Sequence, residues 1–502
     1  MAERLPVIYV RGFAGGQKGI DTAADDPFYG FNEGSTHIRV GARGTPRFYQ
    51  FEGPLLRLML EHDYVLRIEG SQQRLLIDAA DGTLAPDAIW VYRFYDSSAG
   101  TFGREPAPYR LEEAAEGLAA FTELVLRKTK GATRVNLIAH SMGGLICRSA
   151  LQRYMPEPQK VVSKLITIGT PHGGIDPKVG GGIGEWLIDK FGPNGSDIFQ
   201  DRRMKEFLLP EGYDSTRDAD PKTGKWDPRR LVGTFPARRV LSVVGTNAQD
   251  YGVAHGLSAR AMGTQSDGLV AIRNAYVWGS ARAYVHRSHS GAYGLVNSEE
   301  AYQNLRRFLF GALRVEIGLR DIDFQREPNR VWQADARLSI RGLPVVTHEQ
   351  TAEHHCPVDL NAEAEGRATP TSPVPLVTVF LLKSDREFSR YALHLKIISL
   401  EQHDGIFGFR DHLEQVADWQ DSLIVDVALG ADDRVKEVRW QWNSELPGRI
   451  AEKETLDHQL EWDPAHGADA SEGWRPELPL PDPARTLLGD QASLVLSVTT
   501  WD

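Results

Sequence analysis

The chain of 502 residues is predicted to form a doubly wound α/β domain over residues 1–313, followed by a β-rich, sandwich-like domain over residues 314–502. The first part contains short continuous apolar runs with helical or loop segments between them. Such runs are typical of strands that are covered on both faces of a parallel sheet. After Arg314 the runs change to alternating apolar and polar residues separated by Pro, Gly and Asp, which is typical of an antiparallel sandwich.

Six apolar runs predict the strands of the first domain, and two of the segments around them carry clear helix signals. Segment 111–130 has an apolar stripe, two glutamates near its start and lysines before Gly131, as the helix dipole and a C-cap prefer. Segment 298–313 repeats this pattern with Ser298 as its N-cap and is predicted to close the domain. The six predicted strands are 5–10, 88–95, 134–139, 164–169, 239–245 and 283–287.

Two stretches, 16–60 and 175–235, interrupt this alternation. The second is glycine-rich at first and then polar and charged. Loops of this length inside a compact domain are usually functional lids or disordered insertions. We therefore predict a lid-like insertion over residues 175–235.

Composition and charge restrict the class of protein. The net charge of −11 argues against nucleic acid as a partner, because phosphate binding requires clustered Lys and Arg. The two cysteines, Cys147 and Cys356, allow one disulfide but no disulfide framework. No secretory signal and no apolar run of transmembrane length is recognisable. We expect a protein that is cytoplasmic or exported without a recognisable signal peptide.

The segment RVNLIAHSMGGL, residues 134–145, predicts a nucleophile at a strand–helix corner. A strained serine in such a turn requires small residues two positions before and two positions after it. Ala139 and Gly143 satisfy this requirement around Ser141. The amides at the start of the following helix, beginning with Met142, would face a developing oxyanion. A structural turn with a chance serine is the alternative interpretation.

A serine nucleophile needs a histidine base and an acid that orients it. With this kind of elbow the acid and then the histidine follow the serine along the chain. Asp267, in an Asp-Gly turn, is the predicted acid, and Asp250 is its rival. His289, in the loop before the last helix, is the predicted base, and His286, at the end of the last strand, is its rival.

Three further positions near this predicted site have expected roles. The glycine-rich loop after the first strand offers the Phe13 amide as a second oxyanion donor beside Met142. His140, next to the serine, is expected to point away from the reaction. His172 precedes the acid in the chain, and so we expect it to serve in packing or in hydrogen bonding behind the site.

Five motifs together resemble the α/β-hydrolase lipases, in particular bacterial triacylglycerol lipases and the related lecithin–cholesterol-acyltransferase-like and phospholipase-like hydrolases. The resemblance covers residues 5–313 and implies that Ser141, Asp267 and His289 form the triad, with Phe13 and Met142 as oxyanion donors. The motifs are VIYVRGFAGG, NLIAHSMGGL, TIGTPHGG, SDGLV and HSGAYGLVNSEE.

The sequence departs from the lipase pattern at two places. Arg11 stands where many members have histidine, and no acidic residue follows His289 closely, unlike lipases that bind a structural calcium there. We therefore predict no metal and no cofactor. The resemblance implies a serine ester hydrolase for lipid-like acyl esters. A phospholipase or acyltransferase on the same triad is the alternative, and a catalytically silent binding protein is a further one.

The tail, residues 314–502, resembles no family that we can name. It holds seven of the eleven tryptophans, which are expected to lie mostly in its core, and a sandwich with some exposed aromatic residues could also contact a lipid surface. These residues are Trp332, Trp419, Trp440, Trp442, Trp462, Trp474 and Trp501.

Overall fold

The computed structural model describes most of the chain as two compact units. One unit comprises residues 1–282 with 286–302, and the other comprises residues 283–285 with 303–502. The described residues are 4–12, 39–40, 46–47, 53–67, 72–94, 110–175, 199–218, 224–248, 265–289, 291, 294–323, 330–360, 372–383, 388–401, 417–429, 435–445, 458–460 and 477–501.

A seven-stranded, mostly parallel sheet forms the centre of the N-terminal part. Its strands lie in the order β4-β5-β1-β6-β7-β8-β9, and β2 pairs with β3 in a separate two-stranded ribbon. The bounds are β1 Val7–Val10, β2 Arg39–Val40, β3 Pro46–Arg47, β4 Val65–Leu66, β5 Ala88–Tyr92, β6 Val135–His140, β7 Val162–Ile168, β8 Val240–Gly245 and β9 Ala281–Val285.

The burial of these strands explains the continuous apolar runs. Every residue of β1, β6, β7 and β8 is buried, as expected for central parallel strands covered on both faces. Reversal of the strand order about β1 places the carboxyl ends of β1 and β6 side by side in the middle of the sheet. The predicted doubly wound α/β fold is thus confirmed.

Helices lie between the strands, and the two with predicted signals are α3, Leu111–Lys128, and α7, Glu299–Phe310. The C-cap predicted at Gly131 is wrong, because α3 ends at Lys128 and its C-cap is Thr129. The side chain of Ser298 accepts a 3.1 Å hydrogen bond from the Ala301 amide, so it caps α7 as predicted. This helix ends at Phe310, three residues before the predicted end at 313. The helices are α1 Gly53–His62, α2 Gln72–Asp78, α3 Leu111–Lys128, α4 Met142–Ser149, α5 Pro158–Val161, α6 Asp201–Leu208, α7 Glu299–Phe310 and α8 Asp482–Leu488.

The described residues of the predicted insertion, 175–235, are anchored on α4 and on the π-turn Ala150–Tyr154 that continues it. The carbonyl groups at the end of α6 have no partners inside that helix. Ser149 donates to the Phe207 carbonyl at 2.5 Å, and Gln152 donates to the Leu208 carbonyl at 2.6 Å. Side chains of the π-turn and of α4 therefore cap α6.

A second anchor comes from Arg148 of α4, which is fully buried. Its guanidinium donates to the carbonyls of Pro228 and Arg230 at 2.9 and 2.8 Å. Burial lowers the pKa of Arg148 to about 9, against an opposing effect of Asp227. The base of the insertion is thus fixed to α4, and residues 176–198 and 219–223 lie outside the described residues.

The C-terminal unit contains two antiparallel sheets, one in the order β14-β10-β20-β19 and one in the order β12-β11-β15-β16-β17-β18, with β13 paired to β11. Their inward residues share one hydrophobic core, so the predicted β-rich C-terminal domain is confirmed. The strands are β10 Leu313–Arg320, β11 Arg330–Ile340, β12 Val346–Gln350, β13 Val358–Asp359, β14 Val374–Leu381, β15 Ser389–Glu401, β16 Trp419–Leu429, β17 Val435–Trp442, β18 His458–Leu460, β19 Glu477–Pro479 and β20 Ser493–Thr500.

Aromatic residues contribute strongly to this second core. Trp332, Trp419, Trp440 and Trp442 are buried, and Trp501 is half-buried. The indole N–H of Trp442 donates to the Pro479 carbonyl at 3.0 Å and so joins the two sheets. Trp462 and Trp474 lie outside the described residues.

The remaining sequence-based expectations concern the domain boundary, the two cysteines, metal binding and membrane-spanning helices. The division between the units falls inside β9 and α7, and the boundary at residue 313 stays a prediction. Cys147 and Cys356 are both buried free thiols. Among the described residues, no group of three His, Cys, Asp or Glu is placed to hold a metal ion. No helix within the described ranges is both long enough and apolar enough to span a membrane.

Candidate active site

The corner between β6 and α4 holds Ser141 in a strained backbone conformation. Its φ is 51° and its ψ is −127°, a region that residues with side chains rarely adopt. The Ser141 amide donates to the carbonyl of Ile168 at the end of β7, at 2.9 Å. The turn is therefore fixed to the neighbouring strand, as a nucleophile elbow requires.

The spacing of small residues around Ser141 has a direct steric cause. A Cβ atom at Gly143 would lie 2.6 Å from the Arg11 carbonyl oxygen and closer still to that of Val10. Both oxygens belong to the backbone at the end of β1, which cannot move without disturbing the sheet. Glycine is therefore required at position 143.

Ser141, His289 and Asp267 come together at the carboxyl edge of the sheet, although they lie far apart in sequence. The distance from His289 Nε2 to Ser141 Oγ is 3.0 Å, and the distance from His289 Nδ1 to Asp267 Oδ2 is 2.8 Å. His289 is 3% exposed and Asp267 is 0% exposed. The three predicted residues thus form one continuous hydrogen-bonded chain.

The acid is oriented by its own turn. Asp267 Oδ1 accepts hydrogen bonds from the amides of Leu269 and Val270 at 3.0 and 2.7 Å. Gly268 has a φ of 96°, which the tight Asp-Gly turn requires and which glycine adopts without strain. One carboxylate oxygen is thus held by the turn, and the other is left to face His289.

Two strand-end glycines leave room for the acid and the base. A Cβ atom at Gly169, after β7, would lie 3.2 Å from His289 Nδ1. A Cβ atom at Gly245, the last residue of β8, would lie 2.7 Å from the Cβ of Asp267. The motif TIGTPHGG, residues 167–174, therefore contributes packing space at the candidate site.

The structure describes one of the two rival residues. His286 is exposed directly after β9, and its Nδ1 lies 3.2 Å from Thr246 Oγ1. It takes no part in the chain that contains Ser141 and Asp267. Asp250 lies outside the described residues, so its role stays untested.

Of the two predicted oxyanion donors, Met142 is described and Phe13 is not. Met142 begins α4 directly after Ser141, and the amides of the first helical turn have no acceptor inside the helix. The loop after β1 starts beside Ser141, because a Cβ atom at Gly12 would lie 3.1 Å from the Cβ of Ser141. The Phe13 assignment stays a prediction.

His140 requires a correction to the sequence-based expectation. Its ring does not point away from the site: Nε2 lies 3.1 Å from the backbone carbonyl of His289, and the two imidazole centroids are 5.1 Å apart. Burial, followed by the nearby His289, lowers the pKa of His140 well below its usual range. No sequence signal predicts this contact, because it depends on the path of the loop that contains residue 289.

His172 lies behind the candidate site. Its Nε2 bonds Thr167 Oγ1 at 3.0 Å, and its Nδ1 lies 3.4 Å from the Arg148 guanidinium. Burial and then Arg148 lower the pKa of His172 well below its usual range, which keeps the ring neutral. These contacts agree with the expected role in packing and hydrogen bonding.

Comparison with known families gives an independent view of the fold. Residues 89–241 match the family model of the alpha/beta hydrolase fold. This range runs from the second residue of β5 to the second residue of β8, includes Ser141 and ends before Asp267 and His289. The match agrees with the resemblance seen in the motifs and supports a hydrolase. A comparison with curated protein sequences finds no match.

Solved structures give distant likenesses. Phospholipase PlaB from Legionella pneumophila is 14% identical, with a TM-score of 0.30, and the match covers 82% of this chain and 91% of that chain. A gene product of Listeria innocua is 17% identical with a TM-score of 0.24, covering 61% and 94%. The RedJ thioesterase of Streptomyces coelicolor is 13% identical with a TM-score of 0.24, covering 61% and 90%.

Proposed function

From the premise that this chain has the α/β-hydrolase fold, we propose that it is a serine ester hydrolase that cleaves acyl esters of lipid-like substrates. The hydrogen-bonded chain from Asp267 through His289 to Ser141 carries the proposal. The lipid-like nature of the substrate follows from the resemblance of the motifs to those of lipases.

The proposed reaction begins when Ser141 Oγ attacks the acyl carbonyl while His289 Nε2 takes its proton. Asp267 holds the proton on Nδ1 of the base, so that Nε2 is the acceptor, and it stabilises the imidazolium that forms. The Met142 amide stabilises the oxyanion, together with the predicted second donor at Phe13. The alcohol then leaves with the proton from His289, and water releases the acyl group by the same steps.

A fluorophosphonate probe with a matched set of variants tests this function. We expect the probe to label Ser141, and Ser141→Ala to abolish both labelling and hydrolysis of p-nitrophenyl esters. His289→Ala should lower kcat by roughly 10³-fold or more, whereas His286→Ala, at the exposed rival position, should retain most activity. Labelling that survives Ser141→Ala would exclude this serine as the nucleophile.

Substrate class is tested separately with a series of acyl chain lengths from acetyl to palmitoyl, with phospholipids alongside. Lipid-like specificity predicts that kcat/KM rises with chain length, because each buried methylene contributes roughly 0.8 kcal/mol. Activity confined to acetyl esters would contradict the substrate class while leaving the triad intact.

A further inference from the structure

We propose that His140 is a positioning residue, which donates its Nε2–H to the backbone carbonyl of His289 and thereby holds the base between acid and nucleophile. This inference rests on the proposed function, and it assigns a role to a residue that neither the motif nor the triad requires.

The tautomer of His140 follows from its partner. Nε2 lies 3.1 Å from the carbonyl oxygen of His289. A carbonyl oxygen only accepts, so the proton of a neutral His140 ring must be on Nε2. Both residues are buried, with His140 and His289 each 3% exposed, so loss of the donor would remove a hydrogen bond from a buried carbonyl.

Both backbone polar groups of His289 are hydrogen-bonded, one to Asp267 and the other to the residue that precedes Ser141. The His289 amide donates to the carbonyl of Asp267 at 2.8 Å. The His289 carbonyl accepts from His140, the residue that directly precedes Ser141. The acid and the nucleophile elbow thus each fix one end of the residue whose side chain must lie between them.

The surroundings of His140 favour its neutral form. Burial, the neighbouring His289 and then Arg11 lower the pKa of His140, while the hydrogen bond to the carbonyl acts in the opposite direction. A charged ring at a centroid distance of 5.1 Å would oppose the imidazolium that the proposed reaction forms on His289. A neutral donor positions the base without this repulsion.

Gly12 restricts the space on the Nδ1 side of the His140 ring. A Cβ atom at Gly12 would lie 2.8 Å from His140 Nδ1, so the backbone at Gly12 lies close to this edge of the ring. The ring therefore has little freedom to turn away from the carbonyl of His289. A substitution at this position therefore acts on His289 through the hydrogen bond to its carbonyl.

Glutamine and asparagine provide a matched pair of variants for the test. The amide nitrogen of glutamine reaches to about the position of Nε2, whereas that of asparagine reaches only to about the position of Nδ1. Both side chains are neutral and polar, and burying either one costs a similar free energy. His140→Phe, which keeps a ring without a donor, is the third variant.

We expect His140→Asn and His140→Phe to lower kcat, normalised to the number of probe-labelled sites, by roughly 10- to 100-fold. KM should stay nearly unchanged, because a misplaced base slows the chemical step. His140→Gln should recover kcat to within about fivefold of the wild type. His172→Phe is the control for a buried histidine that bonds a threonine and an arginine, and it should lower thermal stability while keeping kcat per labelled site.

The proton shared by His289 and Asp267 gives a spectroscopic readout. Its low-field NMR resonance should shift or broaden in His140→Asn and stay near the wild-type position in His140→Gln. Equal kcat and equal resonances in the Asn and Gln variants would overturn the inference. If that result came with an inactive Ser141→Ala variant, the proposed function would stand and only the positioning role would fail.

Discussion

The tautomer of the candidate base depends on a single oxygen atom, and Asp267→Asn tests this dependence. Asp267 Oδ1 accepts two backbone amides, at 3.0 and 2.7 Å, and Oδ2 faces His289 Nδ1 at 2.8 Å. Asparagine must keep its oxygen toward the two amides, because the reverse orientation would set its NH₂ group against two donors. The NH₂ group then faces Nδ1.

An NH₂ group at 2.8 Å can bond Nδ1 only if that nitrogen has no proton. The proton of His289 would then move to Nε2, which could no longer accept the proton of Ser141. We expect kcat to fall by roughly 10³- to 10⁴-fold, which corresponds to about 4–5.5 kcal/mol of lost transition-state stabilisation. Stability should change little, because the shapes of Asp and Asn are nearly the same.

The assay is kcat for a soluble p-nitrophenyl ester, normalised to the amount of folded protein from circular dichroism. Asp250→Asn, at the rival acid, should stay within about threefold of the wild type. Asp227→Asn is a control for a buried carboxylate, since Asp227 binds Arg229 at 2.8 Å outside the candidate triad. A folded Asp267→Asn variant with more than a tenth of wild-type kcat would refute the tautomer argument.

Two further predictions concern stability. Gly143→Ala should lower the free energy of unfolding by roughly 1–3 kcal/mol or more, because its Cβ would meet backbone oxygens at the end of β1. Gly131→Ala is the control: Gly131 has a φ of 69° and open space around it, so the change should lower the free energy of unfolding by only about 1 kcal/mol. Equal shifts in thermal midpoint for the two variants would contradict the steric argument. The lowered pKa of buried His172 predicts that stability falls as pH drops below about 6.5, because the unfolded state then binds a proton that the folded state does not. His172→Leu should therefore lose less stability than the wild type between pH 7.0 and 5.5 in urea unfolding, by on the order of 1 kcal/mol, and an unchanged pH dependence would show that the pKa of His172 is the same in the folded and unfolded states.

The sequence was sufficient to predict the parts of the fold that depend on local pattern. The buried strands β1, β6, β7 and β8 were visible as apolar runs, and the Ser141 elbow was visible because sterics demand small residues at 139 and 143. Chain order left Asp250 and His286 as rivals, and the Asp-Gly turn, the loop before the last helix and the family motifs favoured Asp267 and His289, which lie within hydrogen-bonding distance of one another.

The features that the sequence did not reveal are non-local. In the C-terminal unit, β10 pairs with β20, although the two strands are far apart in the chain, and alternation specifies a face but not a partner. The contact between His140 and the carbonyl of His289 depends on the path of a returning loop. The capping of α6 by Ser149 and Gln152 likewise joins residues more than fifty positions apart.

The capping of α6 limits how this protein could be shortened. The side chains of Arg148, Ser149 and Gln152 are buried and polar, and they are satisfied in large part by carbonyls of residues 207–230. Deletion of residues 199–235 would leave a buried cation and two buried polar groups without these partners, each at a cost of about 1–3 kcal/mol or more. A minimal hydrolase made from this chain would therefore need apolar replacements at all three of these positions in α4 and its π-turn, introduced together with the deletion.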